Sequence, residues 1–153
     1  MAATIQTIHK PTRARALDTS GNNNHGQIYS GRGLEFDGVS DYLNAGTGVD
    51  LGTGDFTIST WVYLNAIGAD ENLFYKKEDS NNRWYFNINS AGKLAFWSKA
   101  TSIQIYETGD TTLEANTWYR VVVSADRDSS IKLYVNGVLD GTGSADSDDI
   151  DNH

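Results

Sequence analysis

Trp118-Tyr119-Arg120-Val121-Val122-Val123-Ser124-Ala125, then Ile131-Lys132-Leu133-Tyr134-Val135 and the dipeptide Asn136-Gly137, is the stretch that decides the fold class of this chain. Successive side chains of a strand point to opposite faces, so apolar residues at alternate positions mark a strand with a buried face. Both runs show that alternation and are rich in β-branched and aromatic residues. Asp126-Arg127-Asp128-Ser129-Ser130 between them is a polar turn segment. Asn136-Gly137 suits a tight hairpin, because both residues tolerate positive φ.

Working outward, Asp55-Phe56-Thr57-Ile58-Ser59-Thr60-Trp61-Val62-Tyr63 repeats the pattern. Phe56, Ile58 and Val62 fall on one face with Thr60, while Trp61 and Tyr63 fall on the other with Thr57 and Ser59. Bulk on both faces predicts a strand central to a packed layer. Further strands are predicted over Gly33–Asp37, Tyr42–Ala45, Asn72–Tyr75, Trp84–Ile88, Leu94–Ser98 and Ile103–Glu107. Short strands spaced by about 8–12 residues and parted by Gly, Asn, Asp and Ser point to a sandwich or barrel. No helical periodicity of useful length is present; 68–73 and 111–116 have room for a single turn. The expected organisation is an N-terminal arm and first turn segment over 1–30, a sandwich over 31–140, and an acidic tail over 141–153 where further strands would continue.

A chain of 153 residues suits one domain and can bury about 68–70% of its unfolded surface. It has no cysteine, which excludes a disulfide framework and thiolate metal sites. Its net charge is −8, from 20 acidic against 12 basic residues, a balance that repels phosphate backbones and argues against a nucleic-acid partner. The charge is uneven: residues 1–34 carry Lys10, Arg13, Arg15 and Arg32 against Asp18, whereas 140–151 carry Asp140, Asp146, Asp148, Asp149 and Asp151. No run reaches the roughly 18 apolar residues of a membrane span, and no secretory signal is legible at the N-terminus, so no membrane partner is expected.

Asp18-Thr19-Ser20-Gly21-Asn22-Asn23-Asn24-His25-Gly26, then Gly31-Arg32-Gly33-Leu34-Glu35-Phe36-Asp37-Gly38-Val39-Ser40-Asp41-Tyr42-Leu43, resembles the opening of LamG-like (pentraxin-like) jelly-roll domains of the concanavalin A-like lectin/glucanase superfamily. Asp55–Val62 is similar to their next core strand. Asn116–Val123 with Leu133-Tyr134-Val135-Asn136-Gly137 is similar to their later hairpin. The motifs come in the family's order over roughly residues 17–140. The resemblance implies an all-β antiparallel jelly-roll sandwich. Family members continue with strands beyond the hairpin, whereas this sequence stops at His153; a truncated chain or a shortened sandwich is the expectation, with completion by a neighbour as the alternative. LamG-like domains without a signal peptide occur in tailed-phage virion proteins, which sets the expectation of a virion or extracellular surface location.

Four candidate sites follow. For catalysis, the family's glycosidases place carboxylates at alternate positions of one strand; Glu35-Phe36-Asp37 is the nearest match, and the next alternate position is Val39. A solvent-facing Glu35 and a turn-forming Asp37 are the expectation, and no enzyme activity is expected. For metal, resemblance to pentraxins maps a first calcium ligand pair onto Asn81 and Asn82, with Asp146 and Asp148 as further acidic candidates that match no motif; the competing reading is a solvated turn at 79–83. No cofactor is expected, calcium being the one left open. For a glycan, an aromatic platform beside amide groups is needed, and Asn81, Asn82, Trp84, Trp97 and Tyr106 are the candidates, near Tyr75, Tyr85, Asn87 and Asn89. Core packing is the expectation for Trp61, Trp84 and Trp118, and exposure for Trp97. For a protein partner, Lys10, Arg13 and Arg15 beside Pro11 form a basic arm. The first functional expectation is a structural or assembly module, such as a virion decoration or tail component, acting as a homo-oligomer or with other structural proteins. A lectin-like module binding glycans is the alternative.

Overall fold

The computed structural model describes residues 14–16, 26–28, 33–46, 49–100, 103–145 and 148–150, in two compact units, Met1–Ala45 and Gly46–His153. In the first unit, β1 (Ala14–Ala16) pairs antiparallel with β2 (Gly26–Ile28). The strands expected at 33–37 and 42–45 are absent: the segments carry no ladder. Their backbone groups are drawn into a side-chain-centred turn instead. The Asp37 carboxylate accepts the N–H groups of Val39, Ser40 and Asp41 at 2.8, 2.8 and 3.0 Å, and Asp41 accepts the Asp37 N–H at 3.1 Å. A carboxylate that holds N–H groups locally offers the backbone an alternative to strand pairing. Asp37 is thus the turn residue the sequence suggests.

The second unit holds β3 (Phe56–Tyr63), β4 (Glu71–Lys77), β5 (Asn82–Ile88), β6 (Lys93–Ala100), β7 (Ile103–Thr112), β8 (Trp118–Asp126), β9 (Ser130–Val135) and β10 (Val138–Ser144). They form two antiparallel four-stranded sheets, in the orders β10-β9-β8-β3 and β4-β5-β6-β7. The expected hairpin is present, and Asn136 and Gly137 take φ of 53° and 83° at its turn. This is an all-β sandwich, one of the two forms the alternation predicts, and it is consistent with the jelly roll that the resemblance implies.

The core lies between the sheets. Trp84, Phe86, Ile88, Leu94 and Phe96 of one sheet meet Val121, Val123, Ala125, Ile131, Leu133 and Val135 of the other, with Leu64, Leu113 and Ile150 closing the ends. Phe56 and Phe96 join the layers with ring centroids 5.6 Å apart. Burial of each such side chain is worth about 1.5–3 kcal/mol.

Along one seam β7 approaches β10 closely enough that glycine is required. A Cβ on Gly109 would fall 1.9 Å from Asp140 Oδ2, and one on Gly143 would fall 2.1 Å from Glu107 Oε2. Asp140 spans the seam by accepting the Thr111 N–H at 2.9 Å.

Two expectations need correcting. Among the described strands β3 ends its sheet rather than lying centrally, and Trp61 on it is 63% exposed. Trp118, expected in the core, points outward beside Tyr63, 5.4 Å between centroids. The acidic segment 141–153 begins inside β10, which pairs with β9 as far as Ser144, and Ile150 is buried in the core. Leu139 and Gly141 flank a bulge there, which interrupts the alternation that would have revealed a strand.

Candidate functional site

Trp84, Phe86 and Ile88 of β5, and Leu94 and Phe96 of β6, are committed to the core. Strand alternation therefore turns Arg83, Tyr85 and Asn87, and Ala95, Trp97 and Lys99, to the outer face of the sheet. Register then assembles one row from all four strands. Tyr75 of β4 pairs with Tyr85, Tyr85 with Trp97, and Trp97 with Tyr106 of β7. A bulge between Asn72 and Phe74 is what brings Tyr75 into this register. The middle pair is stacked, with centroids 5.0 Å apart and planes 9° apart. The outer pair is more open, Tyr75 being 54% and Tyr106 57% exposed.

The flanking rows are polar. On one side Lys77, Arg83, Lys99 and Gln104 are in register. The Arg83 guanidinium lies 5.0 Å from the Trp97 ring centroid, a cation–π contact, and its Nε is buried without a hydrogen-bond partner. Lys99 Nζ donates to Ser80 O at 3.3 Å and to Asn81 Oδ1 at 3.0 Å. On the other side stand Asn87, Ala95 and Thr108. Asn87 is buried, and its Oδ1 has no partner. Burial raises the Tyr85 phenol above its ordinary value, with Tyr106 adding and Arg83 opposing, so Tyr85 remains a neutral hydrogen-bonding group at physiological pH.

The candidates named from the sequence are thus divided. Trp97 and Tyr106 are brought together as neighbours in the row. Trp84 is removed from it: at 2% exposed it offers no ring face to a ligand. Asn81 and Asn82 lie at the β4–β5 turn, which Asp79 organises by accepting their N–H groups at 2.6 and 2.8 Å. Those two N–H groups hold the Asp79 carboxyl below its usual range. Asn81 is exposed, whereas Asn82 opens β5 and is buried. The Asn81 amide oxygen already holds the Lys99 ammonium, a poor environment for a calcium ion, which takes six to eight oxygens.

Asp148 is held through its carbonyl, which accepts from Arg127 Nη2; Arg127 also donates from Nη1 to Gly52 O at 3.3 Å and from its N–H to Asp55 Oδ1 at 2.8 Å. Among the described residues no group of three His, Cys, Asp or Glu gathers to hold a metal. Lys10, Arg13 and Asp146 lie outside the described residues, and Arg15 lies in β1.

The sequence reading did not single out Lys77, Arg83 or Lys99 as site residues, nor did it line up Tyr75 and Tyr85 with Trp97. The usable signal was the register, recoverable only where turn lengths and bulges are known.

The chain matches the family described as the concanavalin A-like lectin/glucanases superfamily, in its laminin G type, over residues 37–153. No curated protein matches it.

Proposed function

This chain belongs to the concanavalin A-like lectin/glucanases superfamily, and we propose that it is a non-catalytic binding module that holds a glycan against the outer face of the β4–β7 sheet. The observation that carries this reading is the four-strand aromatic row of Tyr75, Tyr85, Trp97 and Tyr106. The C–H faces of sugars stack on such rings, while hydroxyls need paired donors and acceptors beside them. The Asn87 amide and the Arg83 guanidinium flank the row on its two sides.

The non-catalytic part rests on the carboxylates. A glycosidase needs a pair flanking the scissile bond, one carboxyl to protonate the leaving group and one carboxylate to attack or to activate water. Both Asp37 oxygens are engaged within its own turn, Oδ1 with three N–H groups and Oδ2 with the Ser40 hydroxyl at 3.1 Å. Asp55, which lines a depression with Asp126 at the ends of β3 and β8, accepts the Arg127 N–H.

The test is a glycan array with the intact chain, with EDTA and with calcium, followed by calorimetry on any hit. Trp97→Ala and Tyr106→Ala should each weaken the hit tenfold or more, with Trp61→Ala on the other sheet leaving it unchanged and no chain shortening on long incubation. Loss with Trp61→Ala but not with Trp97→Ala would move the site elsewhere.

A second reading, assembly at a virion or extracellular surface, draws on the opposite sheet. Trp61, Trp118 and Leu139 there are 63%, 54% and 53% exposed, and exposed apolar side chains on a sheet face suit an interaction surface. Light scattering of the intact chain against Trp61→Ser/Trp118→Ser tests it: an oligomer that dissociates in the double variant supports assembly, and a monomer in both forms removes self-assembly.

A further inference from the structure

We propose that the ligand of the aromatic row is a linear, carboxylate-bearing polysaccharide, bound along an internal stretch that crosses the strands. This rests on the glycan reading and narrows it. The first argument is shape. Strands are about 4.8 Å apart, so four rings in one register span about 14 Å, and the stacked middle pair repeats at 5.0 Å. A platform of that length fits several sugar units in line. Its two ends, Tyr75 and Tyr106, are each more than half exposed, so neither end caps the chain as a pocket for a terminal sugar would.

The second argument is charge. The protein carries a net charge of −8 and would repel a polyanion, yet Lys77, Arg83 and Lys99 stand in register one pleat repeat from the rings. A neutral ligand would take only hydrogen bonds from that row, whereas an acidic one would also take its charge. Neighbouring lysines show the contrast: Lys76, facing the other way, forms an ion pair with Asp50, whereas among the described residues neither Lys77 nor Arg83 has a carboxylate partner. Arg83 rests on Trp97 with its Nε unpaired. A planar guanidinium fixed on a ring beside a sugar platform is suited to a carboxylate, which takes its donors two at a time. The opposite flank, Asn87 and Thr108, is uncharged and suits hydroxyls.

The experiment is calorimetry with hexasaccharides of β-1,4-glucuronate, α-1,4-galacturonate and β-1,4-mannuronate. Each is compared with its carboxyl-reduced counterpart and its disaccharide, at low salt and in 0.5 M NaCl. The expected result is that at least one acidic hexasaccharide binds about tenfold or more tighter than its reduced form. That advantage should shrink in salt and exceed the disaccharide's. Lys77→Gln should remove much of the advantage while leaving the binding of the reduced chain intact, and Lys77→Arg should restore it. Equal binding of acidic and reduced chains would overturn this inference and leave the glycan reading standing. Equal binding of hexamer and dimer would overturn the linear, internal mode. No binding in any pair would overturn this inference, and the glycan array then decides the glycan reading by itself.

Discussion

Trp84 and Trp97 sit on neighbouring strands of one sheet, in adjacent rows, and serve opposite ends. Trp84 is 2% exposed and packs into the core; Trp97 faces outward, stacked on Tyr85 and covered in part by Arg83. Parity along the strand separates them, since each step of one residue exchanges the faces of the sheet. The other sheet also turns Trp61, Tyr63 and Trp118 outward, but the row here runs unbroken through four strands. Four aromatics in the outer row bury less surface than they would inside, so stability does not account for them.

That contrast predicts a graded set of outcomes. The largest is Trp84→Ala, which should cost about 3–5 kcal/mol of folding stability, read from urea denaturation. Next comes Gly109→Ala, on the seam that closes the inner side. The new Cβ would displace the Asp140 carboxylate and break its bond to Thr111, at a cost of about 1–3 kcal/mol. Trp97→Ala should cost only about 1 kcal/mol, the worth of an exposed aromatic pair, while abolishing most glycan binding. If it destabilises as much as Trp84→Ala, the two faces are not distinct in role.

The smallest effect is Glu107→Gln at the same seam. Burial, and then Asp110, raise the Glu107 carboxyl above its ordinary value, with the Thr142 N–H opposing. A raised folded pKa gives stability that is present below the unfolded value and lost as pH rises through the folded one. Glu107→Gln should therefore raise Tm relative to the parent at pH 7 more than at pH 4. An equal shift at both would assign its effect to packing.

Much of this was legible in the residues. Alternation located β3 to β9 within a few positions, and Asn136-Gly137 marked its turn. Segment 33–45 misled, because the Phe36 and Tyr42 runs read as strands while Asp37 diverts their hydrogen bonds into a turn. Trp61 and Trp118 misled differently: their size argued for the core, but their parity sets them against Ile58 and Val121, which point inward. The aromatic row was legible only in part. Trp97 and Tyr106 could be named singly, but their alignment with Tyr75 and Tyr85 depends on the Asn72/Phe74 bulge, and one residue of slip would turn Tyr75 to the other face.

The order β4-β5-β6-β7 is also the order of synthesis, and this bears on how the domain comes together in time. Each pairing in that sheet joins strands that follow one another along the chain, so only short loops close. By contrast β3 meets β8, with Phe56 opposite Ala125, and the whole ladder sheet lies in the loop between them. Closing that loop costs more chain entropy and belongs late in folding. The alignment of the rings is thus set locally, by three hairpins and their bulges, ahead of the event that locks the two layers together. A lesion in the closing pair, at Ile58 or Val123, would then weaken the sandwich as a whole while the registration of the ring-bearing face is preserved.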